Sequence, residues 1–257
     1  MLSLTKNIIK EIHSLDQRKA RREQHAWLAE GNKSVGDLLE ANAFRCLRLV
    51  ATDEWWKEHP KAKADECYLA SHAELERASL LPSPQDVLAV FELPRASTIA
   101  SQSAKGLVIA LDEVQDPGNL GTIIRTADWY GVRKIFCSPG TADCFSPKVV
   151  QATMSALARV HVNYFEQKEQ MTEWLKQYPG NVYGTFLEGE NIYKSELKPE
   201  GILVMGNEGR GISDEIARCV TKKILIPDFA PDGKHVESLN VSVATAICLS
   251  ELQRRKI

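Results

Sequence analysis

The order of apolar and polar positions divides the chain into two regions of different rhythm. Between residues 3 and 22, Leu4, Ile8, Ile12 and Leu15 recur at three- to four-residue intervals, which predicts one amphipathic helix over that stretch. A second helix is expected from Ser34 through Leu38 and Leu39 towards Glu40. Short apolar runs at Cys46–Ala51, Glu66–Ala70 and Val87–Glu92 read as strands, separated by helical stretches that contain Trp55-Trp56 and Ala73 to Leu80. Two adjacent tryptophans cannot share one helix face, so one is expected inside and the other at the surface, with packing the favoured role for both. Between Pro94 and Lys105 the periodicity gives way to Pro, Arg, Ser, Thr and Gln, a composition suited to a linker. The expected domains are therefore residues 1–98 and 99–257.

Beyond that point strands and helices alternate. Leu107–Leu111 is a continuous apolar run short enough for a buried strand. A turn at Asp116-Pro117-Gly118-Asn119 leads into a helix carrying Ile123, Ile124, Ala127 and Tyr130, which Gly131 closes. Further strands are expected at Lys134–Cys137, Val160–Asn163, Val182–Thr185, Ile202–Gly206 and Lys223–Ile226. Ser146-Pro147 suggests a helix start, and the last helix runs from near Asn240 to the basic Arg254-Arg255-Lys256. This alternation predicts an α/β domain with a mostly parallel sheet, beside a smaller N-terminal α/β domain.

Composition narrows the class without naming a chemistry. At 257 residues, 44% hydrophobic and 26% charged, the chain is an ordinary globular sequence. It has no apolar stretch near the roughly 18 residues of a membrane span, and its N-terminus lacks the features of a signal or transit peptide, so a cytosolic location is expected. Cys46, Cys67, Cys137, Cys144, Cys219 and Cys248 are scattered, without the close pairs of a zinc site or a disulfide scaffold, and no metal is expected. The net charge of −2 does not advertise nucleic-acid binding. The basic cluster Arg18-Lys19-Ala20-Arg21-Arg22 with Lys33 could be either a solvated helix face or a local RNA footprint.

Three segments stand where an open parallel sheet binds ligands, in loops that follow strand ends. The first is Asp116-Pro117-Gly118-Asn119-Leu120-Gly121, leading into Arg125. Asn119 could cap the helix, and Arg125 could merely extend to solvent. Gly121 within the first turn suggests a close approach to the backbone. The second is Gly206-Asn207-Glu208-Gly209-Arg210-Gly211, whose glycine order fits neither a dinucleotide fingerprint nor a phosphate loop. A carboxylate there would repel phosphate, but it suits an uncharged nucleoside or a cation such as a sulfonium; a plain tight turn is the alternative. The third is Ile226-Pro227, followed by Glu237-Ser238-Leu239-Asn240 before a small-residue helix. Ser238 and Asn240 are both N-cap types, one more than a single cap requires.

In this order, at the ends of successive α/β units, the three segments resemble the motifs of the SpoU family of knotted methyltransferases over Leu107 to Leu252. The N-terminal half is similar to the substrate-binding domain that many members carry. Trp27-Leu28-Ala29-Glu30-Gly31 with Lys33 and Val35 fits its opening, and Ser83-Pro84-Gln85 with Val90 fits its close. The resemblance implies a parallel sheet with a trefoil knot, a homodimer formed through the knot region and the last helix, and S-adenosylmethionine as cofactor. It also implies methyl transfer to a ribose 2′-hydroxyl of rRNA or tRNA. Gly206, Ile226, Leu239 and Thr185 are the implied cofactor-binding positions. Asn119, Arg125, Glu208, Ser238 and Asn240 are the implied catalytic and substrate-positioning ones.

A guanidinium is a poor base, so the expected work of Arg125 is to hold the adjacent phosphate and stabilise the developing alkoxide. Ser155 stands where many members have glycine, and Asp228–Val236 is longer than usual, which makes Gly233 hard to assign. Two rivals remain at this level. A catalytically silent RNA-binding homologue would have lost one of Asn119, Arg125, Glu208 or Asn240, and a methyltransferase acting on a base or small molecule would share only the cofactor.

Overall fold

The computed structural model describes residues 1–94, 106–230 and 236–257, so the linker expected over 94–105 and the position of Gly233 lie almost wholly outside the described residues. The chain forms two compact units. One comprises the described residues of Met1–Arg95 with Asp143–Arg159, and the other those of Ala96–Ala142 with Val160–Ile257.

The first unit runs β1 (Leu2–Ser3), α1 (Lys6–Ser14), α2 (Arg18–Gln24), β2 (Ala26–Glu30), α3 (Asn32–Ala41), β3 (Cys46–Ala51), α4 (Asp53–Glu58), β4 (Glu66–Leu69), α5 (His72–Ala78) and β5 (Val87–Glu92). Its sheet has the order β1-β4-β3-β5-β2, in which β5 runs antiparallel to both its neighbours. Ile12 and Leu15 bury themselves against Leu28, Val50, Tyr68, Leu75 and Leu88, as the periodicity requires. Each such side chain contributes about 1.5–3 kcal/mol.

The single helix expected over 3–22 is instead two. The chain breaks at Leu15–Gln17, and the buried Arg21 turns back to close the break. Its guanidinium donates to the carbonyls of Leu15 and Asp16, both at 2.7 Å, and to Asp143 at 2.6 Å. Arg21 is therefore an internal brace, whereas Arg18, Lys19, Arg22 and Lys33 are exposed.

The tryptophan expectation also changes, because both Trp55 and Trp56 are buried. The short helix α4 lets them meet edge to face at 5.5 Å, with Trp56 donating to the Tyr68 carbonyl and Trp55 stacked on His59. Strands β1 and β2 were not expected from periodicity; β2 is buried on both faces and shows no alternation.

Within this unit α7 (Pro147–Thr153) packs against β2, and Phe145 joins an aromatic cluster with Trp27 and Phe44. Ser146 occupies the expected N-cap position, but its hydroxyl makes no cap bond. Ser155 sits at φ 69°, a left-handed conformation that explains a preference for glycine there, and its hydroxyl donates to Asp37 at 2.7 Å. Its packing consequence thus falls on α3.

The second unit runs β6 (Leu107–Leu111), α6 (Pro117–Trp129), β7 (Lys134–Cys137), β8 (His161–Tyr164), α8 (Lys168–Gln177), β9 (Val182–Asn191), β10 (Gly201–Met205), α9 (Asp214–Ala217), β11 (Lys222–Leu225) and α10 (Val241–Arg254). Its six strands are all parallel, in the order β11-β9-β10-β6-β7-β8. Strands β6 and β10 are buried at every residue, which is why they read as unbroken apolar runs. Gly131, at φ 71°, ends α6 as expected. Its N–H reaches the Asp128 carbonyl and that of Val132 the Ala127 carbonyl, which satisfies the last-turn acceptors. Helices α8 and α9 were not anticipated.

Strand β9 extends beyond the expected Val182–Thr185. Its pairing with β11 jumps from Gly184↔Lys223 to Glu190↔Ile224, so Thr185–Gly189 bulge out between two paired legs. Among the described residues no helix is long and apolar enough to cross a membrane.

Candidate active site

Strands β9, β10, β6 and β7 point the same way, so their carboxyl ends lie along one edge of the sheet, and the three polar segments leave from that edge or near it. The segment after β6 enters α6 through Asp116, whose carboxylate accepts the Asn119 N–H at 2.8 Å, with Pro117 in the first turn. Asp116 is therefore the helix cap, not Asn119, and the Asn119 side chain is left for other work. Its amide donates to Glu208 at 3.0 Å and accepts from the Asn240 amide at 2.9 Å. Asn240 is itself the cap of α10, its oxygen accepting from the Ser242 N–H at 2.9 Å, the Val243 N–H at 3.3 Å and the Ser242 hydroxyl at 2.6 Å.

These bonds form a chain whose direction is fixed at both ends. An ionised carboxylate can only accept, so Asn119 must turn its NH₂ towards Glu208 and its oxygen towards Asn240. Asn240 then donates to that oxygen, and its own oxygen faces the N–H groups of α10, which can only donate. Neither amide can be reversed without placing like groups together. One residue from each of the three segments is thus locked into a single arrangement, although they stand 89 and 121 positions apart in sequence.

Glu208 also accepts from the backbone N–H of Gln115 at 3.3 Å and of Asp116 at 3.1 Å. Partial withdrawal from water favours its neutral form. The bonds from Asn119 and from backbone N–H groups outweigh that, and the pKa lies below its ordinary value. The carboxylate is accordingly held as an anion.

The loop that presents Glu208 is tightly built. Gly206 is buried, and a Cβ there would stand 2.2 Å from the Gly211 carbonyl carbon and 2.3 Å from the Ile212 nitrogen, so only glycine admits the returning backbone. Asn207 and Gly211 exchange both backbone hydrogen bonds at 2.9 Å, and the Asn207 oxygen caps the turn by accepting from Gly209 and Arg210 N–H groups.

Beneath the loop lies a charge cluster that sequence reasoning missed. Asp112, buried at the end of β6, accepts from the Ser213 N–H at 2.8 Å and its hydroxyl at 2.6 Å. Glu113 meets Lys168 at 2.6 Å and Arg210 at 2.5 Å. The Lys168 bond, with partial burial opposing and Arg210 assisting, lowers the Glu113 pKa. Lys168 is raised, because its bonds to the two acids outweigh burial. Glu113 has φ 56°, a left-handed conformation that costs a non-glycine residue about 1–2 kcal/mol. The visible signal was the acidic pair after an apolar strand; its partners 55 and 97 residues away were not legible.

Other expected site residues stand apart from the hydrogen-bonded chain. Arg125 is exposed on α6, and among the described residues its side chain makes no hydrogen bond or ion pair. Ser238 is exposed and likewise joins no side-chain hydrogen bond among the described residues, while Leu239 is 47% exposed. Thr185, where β9 leaves the sheet, contacts the Met205 sulfur at 3.9 Å, beside Gly206. Ile226 is half-buried directly after β11. Thr185, Gly206 and Ile226 therefore follow the paired parts of three neighbouring strands. Half-exposed Ile226 and Leu239 and the Glu208 anion fit a nucleoside bearing a sulfonium such as S-adenosylmethionine. The N-terminus of α6, the obvious phosphate seat, is already capped by Asp116.

Residues 106–250 match the SpoU rRNA Methylase family, and residues 6–89 match the MRM3-like substrate binding domain. The chain belongs to the SpoU rRNA methylase family. It is thus an RNA methyltransferase that uses S-adenosylmethionine and acts on a ribose 2′-hydroxyl, as the motifs led us to expect. Among solved structures, the TrmH-family protein from Porphyromonas gingivalis is 41% identical, covers 99% of this chain and 100% of its own, and superposes with a TM-score of 0.89. The AdoMet-bound rRNA methyltransferase from Sinorhizobium meliloti is 31% identical, with 100% and 98% coverage and a TM-score of 0.86. The 23S rRNA (guanosine(2553)-2′-O)-methyltransferase RlmP of Bacillus subtilis is 28% identical over 95% of both chains. The catalytically silent reading gains no support from these relatives.

Proposed function

We propose that the Glu208–Asn119–Asn240 chain, with Arg125 and Ser238, forms the site at which a ribose 2′-hydroxyl of ribosomal RNA receives its methyl group. The observation that carries this reading is the convergence of three distant loops into one directed set of hydrogen bonds near the strand ends. Gly206, Ile226, Leu239 and Thr185 would hold S-adenosylmethionine, which would supply an electrophilic methyl group on a sulfur that needs no acid to depart. The chain's own residues provide alignment and charge. Asn119 and Asn240, fixed in orientation by Glu208 and by α10, present a rigid polar edge to the nucleotide, and rigid placement is the main source of acceleration in an in-line displacement. Arg125, whose guanidinium is uncommitted among the described residues, holds the adjacent phosphate and stabilises the alkoxide as the hydroxyl loses its proton to phosphate or water.

Ribosomal RNA as substrate is supported by the B. subtilis and S. meliloti relatives. A cytoplasmic site of action is consistent with the bacterial relatives. Residues 1–98 would bind RNA and 99–257 carry the chemistry. The knot that the family resemblance implies belongs to the same proposal. A homodimer is supported by exposed Trp129 on α6 and half-exposed Val243 on α10.

The test is incubation with methyl-labelled S-adenosylmethionine and unmethylated ribosomal RNA, followed by mapping of alkali-resistant linkages. Arg125→Ala and Asn240→Ala should each lower the rate at least tenfold, and Arg125→Lys should not restore it if the planar fork is required. Label on a nucleobase, or no transfer to any RNA, would overturn the proposal.

A further inference from the structure

The two residues that follow β6, Asp112 and Glu113, hold the Glu208 loop at three points. The Asp112 carboxylate takes both the N–H and the hydroxyl of Ser213, where the loop ends. The Glu113 carbonyl accepts from the Asn207 amide at 2.8 Å, where the loop begins. The Glu113 carboxylate takes Arg210 at 2.5 Å from the middle of the loop and anchors on Lys168 at 2.6 Å. Glu113 is itself confined. Its N–H donates to the Ser138 hydroxyl at 2.8 Å, and its Cγ lies where a Cβ on Gly140 would be only 2.8 Å away. The carboxylate reaches both cations from a left-handed backbone that glycine would occupy freely, so a local preference is broken at a position whose side chain bonds to the loop bearing Glu208.

We infer that Glu113 is a positioning residue for methyl transfer: through Arg210 and Asn207 it fixes the 207–213 loop so that Glu208 meets Asn119 in the orientation the site requires. The inference rests on the proposed role of the Glu208–Asn119–Asn240 chain. It assigns the work of Glu113 to the geometry of that chain rather than to holding the fold together, since Arg210 is 69% exposed and contributes little to stability as one partner of a surface pair.

Glu113→Gly separates the two roles, because it removes the carboxylate while relieving the backbone. The full-length variant should melt within about 3 °C of the parent. Its kcat should fall at least tenfold, with KM for S-adenosylmethionine changing less than threefold. Glu208, less well held, should titrate closer to its ordinary value of 4.5, so the acid limb of the kcat–pH profile should move upward. Arg210→Met removes the same contact from an exposed side chain and leaves the strained backbone untouched, so it reads the link even if Glu113→Gly melts early; a three- to tenfold lower kcat is expected. Glu208→Gln, assayed alongside, separates the two levels of the argument. If Glu208→Gln loses activity while Glu113→Gly and Arg210→Met keep wild-type kcat and an unmoved acid limb, the positioning role is overturned. If Glu208→Gln is itself fully active, the underlying site reading fails instead.

Discussion

Replacing Asn240 by aspartate turns one NH₂ group into an oxygen and leaves everything else about the side chain in place, which makes it a sharp probe of the hydrogen-bonded chain. The cap of α10 survives, because aspartate accepts from the Ser242 and Val243 N–H groups as asparagine does, and its charge favours a helix N-terminus by about 0.3–1 kcal/mol. The contact to Asn119 does not survive. Two acceptor oxygens would face each other at the present 2.9 Å. If Asn119 reversed its amide to donate to the new carboxylate, its oxygen would oppose Glu208 at 3.0 Å, so rotation only moves the conflict. A lost hydrogen bond with an acceptor left opposing an anion costs about 2–4 kcal/mol when buried. Asn240 is exposed and water relieves part of this, so about 1.5–2.5 kcal/mol is expected, a ten- to seventyfold loss of kcat. Methyl transfer to ribosomal RNA measures the rate, and thermal unfolding should show a fall of roughly 2–6 °C, the gain at the cap offsetting part of the same cost. An Asn240→Asp enzyme that keeps more than a third of the parent kcat would refute the claim that the directed chain matters for the reaction.

Two further outcomes follow from the same geometry. Because the Glu208 pKa is depressed in the folded chain, its bonds stabilise the protein fully above its ordinary value of 4.5, and that contribution is lost as pH falls through the lower folded value. Urea unfolding of the parent and Glu208→Gln should therefore differ at pH 7 and converge as the solution is acidified; a gap that stays constant down to pH 3 would contradict the assignment. Gly206→Ala places a methyl group 2.2 Å from the Gly211 carbonyl carbon, against backbone that cannot yield like a side chain. Calorimetry should show at least a tenfold weaker S-adenosylmethionine affinity, and unchanged affinity would mean that the loop is looser than its contacts indicate.

Local signals carried much of this molecule. Strands Cys46–Ala51, Val87–Glu92, Leu107–Leu111 and Lys134–Cys137 stand where the apolar runs put them, and Leu107–Leu111, buried at every residue, is the clearest such run. Gly131 and Asn240 announced the end of one helix and the start of another, because cap conformations restrict residue type within a few positions. Motif order was enough to indicate the family, the cofactor and the reaction class. Elements without a distinctive rhythm were missed or misjudged, among them the short β2, helices α8 and α9, and the break at Leu15–Gln17 that Arg21 closes from within.

What only the tertiary structure decided is which polar atom meets which. Asn119 could still have been the helix cap until Asp116 proved to hold that position, and Glu113 gave no sign of its grip on Arg210 and Lys168. Periodicity reports the burial of whole faces and is read over neighbouring residues. A hydrogen bond is directional and spans a few ångströms between groups up to 121 positions apart, so its partner is chosen only when the sheet brings separate strand ends together.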